Sequence, residues 1–245
     1  MRKILISLLA IFTLFVGACS CDKFTIDTYE IAVSNFKEST GFEYTLKVTT
    51  KVEGQEYYEI EEYHNKYVLK TTGKVDKFAS TLKISRVATP LNGPEGNPIT
   101  AFTSERYYVG ENNTFYEKDA EKGLPVETFA YADKSYEQMY SDINNKNNVN
   151  NLVPTFENEL ISGFEISEKG DKNGTSIAVF TGPVPSYLDS TEEVTAYSVT
   201  MDKDYYFQKI EFVVTDGEKT IEYEYNFLNY NSNVEIVFPN DLASY

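Results

Sequence analysis

Residues 212–228 read FVVTDGEKTIEYEYNFL, and this stretch decides the fold. Ile221, Tyr223, Tyr225 and Phe227 alternate with Glu222, Glu224 and Asn226. Only a strand with one wet and one dry face has that period of two. Asp216-Gly217 stands between this strand and an apolar run over Phe207–Val214. An aspartate followed by glycine tolerates the positive φ angles of a tight hairpin turn. The two runs therefore pair antiparallel. Working outward, Val194–Met201 precedes them and joins at Asp202-Lys203-Asp204. Before it, Phe164–Glu168 and Thr175–Thr181 flank Asp171-Lys172-Asn173-Gly174, a second strong hairpin turn.

The first half follows the same logic. Phe42, Tyr44, Leu46 and Val48 alternate with Glu43, Thr45 and Lys47, Gly54 marks a turn, and Tyr57–Lys70 returns as the partner strand. Thr81–Ala88, Phe102–Val109 and Thr114–Glu117 are further strands, the first two separated by the Pro- and Gly-rich loop of residues 90–98. Asp27–Glu38 reads as a helix with Ile31, Val33 and Phe36 on its apolar side, ended by Gly41. Ser135–Ile143 places Tyr136, Met139, Tyr140 and Ile143 on one helical face before the polar run Asn144-Asn145-Lys146-Asn147-Asn148. Residues 154–160 add a possible helical turn. The expected fold is mainly β, a β-rich α+β arrangement. One wide antiparallel meander starts with a helix and takes a helical insertion midway. No repeat of solenoid length is present.

The 245 residues carry a formal net charge of −16. Such a chain is repelled by nucleic acid, whose binding depends on Lys and Arg neutralising phosphates. A solvated acidic surface is the plain reading of the charge. The only cysteines are Cys19 and Cys21.

Residues 1–18 have the parts of a secretory signal: Arg2 and Lys3, then an apolar run from Ile4 to Val16, then small residues. The apolar stretch is shorter than the roughly 20 residues a membrane-spanning helix needs. An ordinary cleaved signal would leave a soluble protein. Val16-Gly17-Ala18-Cys19 resembles the lipobox of bacterial lipoproteins. That resemblance implies cleavage before Cys19, a diacylglyceryl group on its thiol, and an extracytoplasmic domain tethered to the cell membrane by residues 19–25. Removing Arg2 and Lys3 with the signal leaves a mature net charge of −18. With Cys19 acylated no intrachain disulfide can form, so residues 26–245 must stand on their core as one domain.

The catalytic inventory is short. His64 is the single histidine, and no serine sits in a nucleophile turn of the G-x-S-x-G kind. Glu62 and His64 share a strand face, yet no further metal ligand lies at a familiar spacing, and a solvated histidine among glutamates explains the pair. Asp202-Lys203-Asp204 lacks the glycine and closing glutamate of a calcium loop. No enzyme, metal site or cofactor is expected.

The ending over residues 195–241 resembles that of the LolA-like and LppX/LprG-like bacterial lipoproteins, with Phe227, Tyr230, Asn231, Val234, Ile236 and Pro239 at the matching places. The opening helix and the hairpin over residues 41–70 are similar to the start of that superfamily. The resemblance implies a half-open antiparallel barrel, its concave side covered by helices, with a cavity for acyl chains. Alternation selects Phe42, Tyr44, Leu46, Val48, Ile221, Tyr223, Tyr225 and Phe227 as candidate lining residues. A lipid or other amphiphile is then the expected ligand. The alternative is a surface interaction module for protein or glycan, whose 20 tyrosines and 16 phenylalanines fill the concavity themselves.

Overall fold

The computed structural model describes residues 26–71, 74–89, 96–143, 165–170, 176–181 and 193–245. The signal, Cys19, Cys21, the tether, the asparagine run and the expected turn at 154–160 lie outside them. The chain opens with helix α1 (Ile26–Glu38) and continues as β1 (Gly41–Val52), β2 (Tyr57–Thr71), β3 (Lys74–Ala88), β4 (Ile99–Val109), β5 (Thr114–Glu121) and β6 (Glu127–Tyr131). Helix α2 (Tyr136–Ile143) follows. Then come β7 (Glu165–Gly170), β8 (Ser176–Thr181), β9 (Glu193–Met201), β10 (Phe207–Asp216) and β11 (Lys219–Tyr230).

All eleven strands form one sheet in the order β6-β5-β4-β3-β2-β1-β11-β10-β9-β8-β7. Each half of the chain is a meander of hairpins, and the halves meet where β1 pairs antiparallel with β11. β6 and β7 end the order, so the sheet is curled but not closed. The turn that the sequence placed at Asp216-Gly217 joins β10 to β11, with Gly217 at φ 58°.

β4 starts at Ile99 and β5 runs on to Glu121, each longer than expected, and two other strands differ more. β3 begins at Lys74 rather than near Thr81: its buried Val75 and Phe78 are three positions apart, because the register shifts beside Leu69 and breaks the period of two. β6 was not foreseen at all: its five residues are exposed, so it carries no dry face to recognise.

Both helices cover one face of the sheet. Phe36 of α1 contacts the rings of Phe42, Phe207 and Phe227 at 4.8, 6.3 and 5.9 Å. Tyr136 of α2 meets Phe78, Tyr67 and Tyr108 at 5.2, 5.8 and 6.0 Å, and its hydroxyl lies 3.1 Å from that of Tyr67. These edge-to-face rings are the geometry aromatic pairs prefer. The mid-chain helix therefore does cover part of the concave side.

The opposite face is polar but not bare. Glu43 is buried there, bonded by His64 at 2.6 Å and by Asn229 at 2.6 Å, with Lys66 at 3.3 Å. Burial opposes its charge, yet the hydrogen bonds of Asn229, His64 and Lys66 outweigh that and hold its carboxyl below the usual carboxylate range. The C-terminal segment also runs over this face, where Phe238 and Tyr245 pack on the ring of Tyr107 at 6.2 and 6.4 Å.

Candidate ligand-binding face

Strand pairing lines up the concave face row by row. Tyr44 sits between Asn65 and Phe227, Leu46 between Tyr63 and Tyr225, and Val48 between Glu61 and Tyr223. All eight candidate lining residues stand on this face, because successive side chains of a strand alternate. Phe42, Tyr44 and Phe227 lie at the end that α1 covers; Phe42 stacks on Tyr67 at 4.6 Å. Leu46, Val48, Ile221 and Tyr225 are also buried, further from the helices along the strands. Tyr223 is half-buried and stacks on Phe212 at 4.5 Å. The neighbouring strands extend the face with Ile210 and Val214 of β10 and with Phe78, Tyr108 and Phe115 of β3 to β5, none of which the sequence reading singled out.

Tyr225 is a deeply desolvated phenol among the candidate lining residues. Its ring touches Tyr44 at 5.8 Å and Phe212 at 6.2 Å, and burial pushes its phenol well above the ordinary tyrosine value. Tyr230 donates to the carbonyl of Phe207 at 2.8 Å.

The same face turns polar toward β6. Asn65, Ser80, Arg106 and Glu117 form one cross-strand row, and Tyr63, Leu82, Ser104, Asp119 and Glu127 form the next. The Arg106 Nε donates to Glu117 Oε1 at 2.6 Å. Ser104 and Arg106 share the parity of Tyr108, and Glu117 and Asp119 that of Phe115. Charges at core parity mark either an internal ion pair or a ligand contact.

His64 points to the other face and to Glu43, not toward Glu62, which pairs with Lys83 at 3.0 Å. Among the described residues no three His, Cys, Asp or Glu side chains are placed to share a metal ion.

No protein-family model matches the chain. No curated protein matches it either. Solved structures do resemble it in outline. LprF from Mycobacterium bovis aligns with a TM-score of 0.38 at 10% identity, over 88% of this chain and 96% of its own. A DUF1329 family protein from Desulfovibrio piger gives 0.31 at 9% identity, over 88% and 95%. A β-barrel-like protein of the DUF1849 domain from Brucella abortus gives 0.28 at 7%, over 78% and 99%. At such identities and TM-scores none of them speaks for what this chain binds. The face itself must carry that reading.

Proposed function

We propose that this chain is an extracytoplasmic lipoprotein that holds a lipid or other amphiphile against its concave sheet face. In this reading residues 1–18 are removed as a signal, and Cys19 carries the diacylglyceryl anchor. Residues 19–25 tether a single domain of residues 26–245 to the cell membrane. The observation that supports ligand binding best is Tyr225. Its ring is buried among apolar neighbours and burial raises its phenol, so it places one polar group in a mostly apolar face. Leu46, Val48 and Ile221 around it supply the apolar surface an acyl chain needs. Small-molecule sites are of this kind, mostly apolar with a few convergent polar groups.

A second reading has its own support. Phe36 and Tyr136 already fill one end of the face with rings, as in an interaction module whose concavity is occupied by its own side chains. Native mass spectrometry and lipid extraction of the purified Cys19→Ser chain separate the two. Co-purifying lipid that Tyr225→Asp removes, with far-UV circular dichroism unchanged, is the expected result. A ligand-free chain that takes up no labelled fatty acid or phospholipid would favour the second reading. Cys19→Ser should also release the protein from the membrane fraction.

A further inference from the structure

One edge of the sheet is open to pairing. β6 is bonded to β5 on one side and borders no described strand on the other. Such an edge is a template for another strand unless lysine, proline or a bulge blunts it. β6, Glu127-Thr128-Phe129-Ala130-Tyr131, has no lysine, no proline and no break in its register with β5. The strand at the other end of the sheet is guarded: Glu165, Glu168 and Lys169 take three of the 6 positions of β7. The side chains around β6 are apolar and uncovered. Leu124, Val126, Phe129 and Tyr131 are 60%, 56%, 38% and 37% exposed. Phe129 and Tyr131 share one face of the strand and stack at 6.2 Å. Clustered exposure of this kind marks a contact surface.

Charge selects the partner. Antiparallel pairing of β6 with a second β6, centred on Phe129, sets Phe129 against Phe129, Thr128 against Ala130 and Glu127 against Tyr131. No like charges meet in that register, and an aromatic pair at its centre stabilises antiparallel strands. Centring on Glu127 instead would set glutamate against glutamate, which is disfavoured. The contact uses the same patch on both chains, so it closes at two. Pairing of β6 with β7 would be head-to-tail and open-ended.

We propose that β6 is a homodimerisation edge, at which two copies of this chain pair β6 to β6 about Phe129 and join their sheets into one. Strands of 5 residues make a small interface. The dimer is therefore weak and reversible, with a Kd on the order of 10 μM.

The test is oxidative cross-linking and sedimentation velocity of the full chain carrying Cys19→Ser and Cys21→Ser, which leaves no native thiol. In the dimer residue 129 faces its own copy, and directly opposed residues of antiparallel strands lie within disulfide range. Phe129→Cys is expected to form a disulfide dimer about tenfold faster than Thr81→Cys, an exposed position in the middle of the sheet. Glu127→Cys and Tyr131→Cys should each cross-link poorly alone and readily when the two variants are mixed. In sedimentation, Tyr131→Glu sets carboxylate against carboxylate twice and should weaken the dimer about fivefold, whereas Tyr131→Lys should not weaken it. Far-UV circular dichroism confirms that each variant is folded. Equal cross-linking rates at positions 129 and 81, or a monomer at about 100 μM, would overturn the proposal. So would a ladder of species larger than dimers, which would point to β6–β7 pairing.

Discussion

At the scale of single residues, Glu43 shows how a carboxylate can serve a sheet rather than a ligand. It sits in the central strand, 8% exposed, held by three partners from the two flanking strands. Its folded-state pKa is depressed, so its contribution to stability is present above about pH 4.5, its ordinary value, and is lost as pH falls through the lower folded value. Glu43→Gln should therefore cost about 1–3 kcal/mol at pH 7. The difference from wild type should shrink as pH falls through the lowered folded value, where the native carboxyl takes up its proton as well. Urea denaturation over a falling pH series checks this, and a loss that stays constant would show that geometry rather than charge matters. Nothing in the sequence singles out Glu43 from the other acidic residues. Its partners His64, Lys66 and Asn229 lie 21, 23 and 186 positions away, and only strand register brings them together.

At the scale of elements, α1 is fastened to the sheet mainly through Phe36, whose ring meets three others. Phe36→Ala should destabilise the protein by about 3–5 kcal/mol, read as a lower urea midpoint. A loss under about 1 kcal/mol would mean that α1 docks by other contacts. This anchor was legible, since Phe36 stands on the apolar side of a helix with a clear end at Gly41. So were β1 and β11, whose alternation runs unbroken through Val48 and from Ile221. The polar floor on β4 and β5 was harder to see. Arg106 and Glu117 read as solvent-facing in a chain with so many charges, and their inward parity emerges only once Tyr108 and Phe115 are known to meet the helical side. β6 shows the opposite difficulty, an edge strand that offers water every side chain and so has no period to detect.

At the scale of the whole molecule, the sheet depends on one seam. β1 and β11 are separated by more than 160 positions, yet among the described strands theirs is the pairing that joins the two meanders. A chain ending at Asp216 would lose β11 and leave the long inner edges of β1 and β10 unpaired. Such edges recruit other chains. That truncation should aggregate, and light scattering of the refolded protein would show it; a soluble monomer would mean that the halves fold independently. Contacts this remote in sequence also form late and slowly. The meander order within each half follows from short turns, but no local signal announces that the first and last strands are neighbours.

The first and last described segments lie on opposite sides of the sheet. α1, which follows the tether, packs on the concave face, whereas Tyr245 rests on Tyr107 behind it. Seven tether residues reach at most about 25 Å. If Cys19 carries the proposed anchor, α1 starts within that reach of the bilayer. An epitope appended after Tyr245 would emerge on the face of the sheet opposite α1.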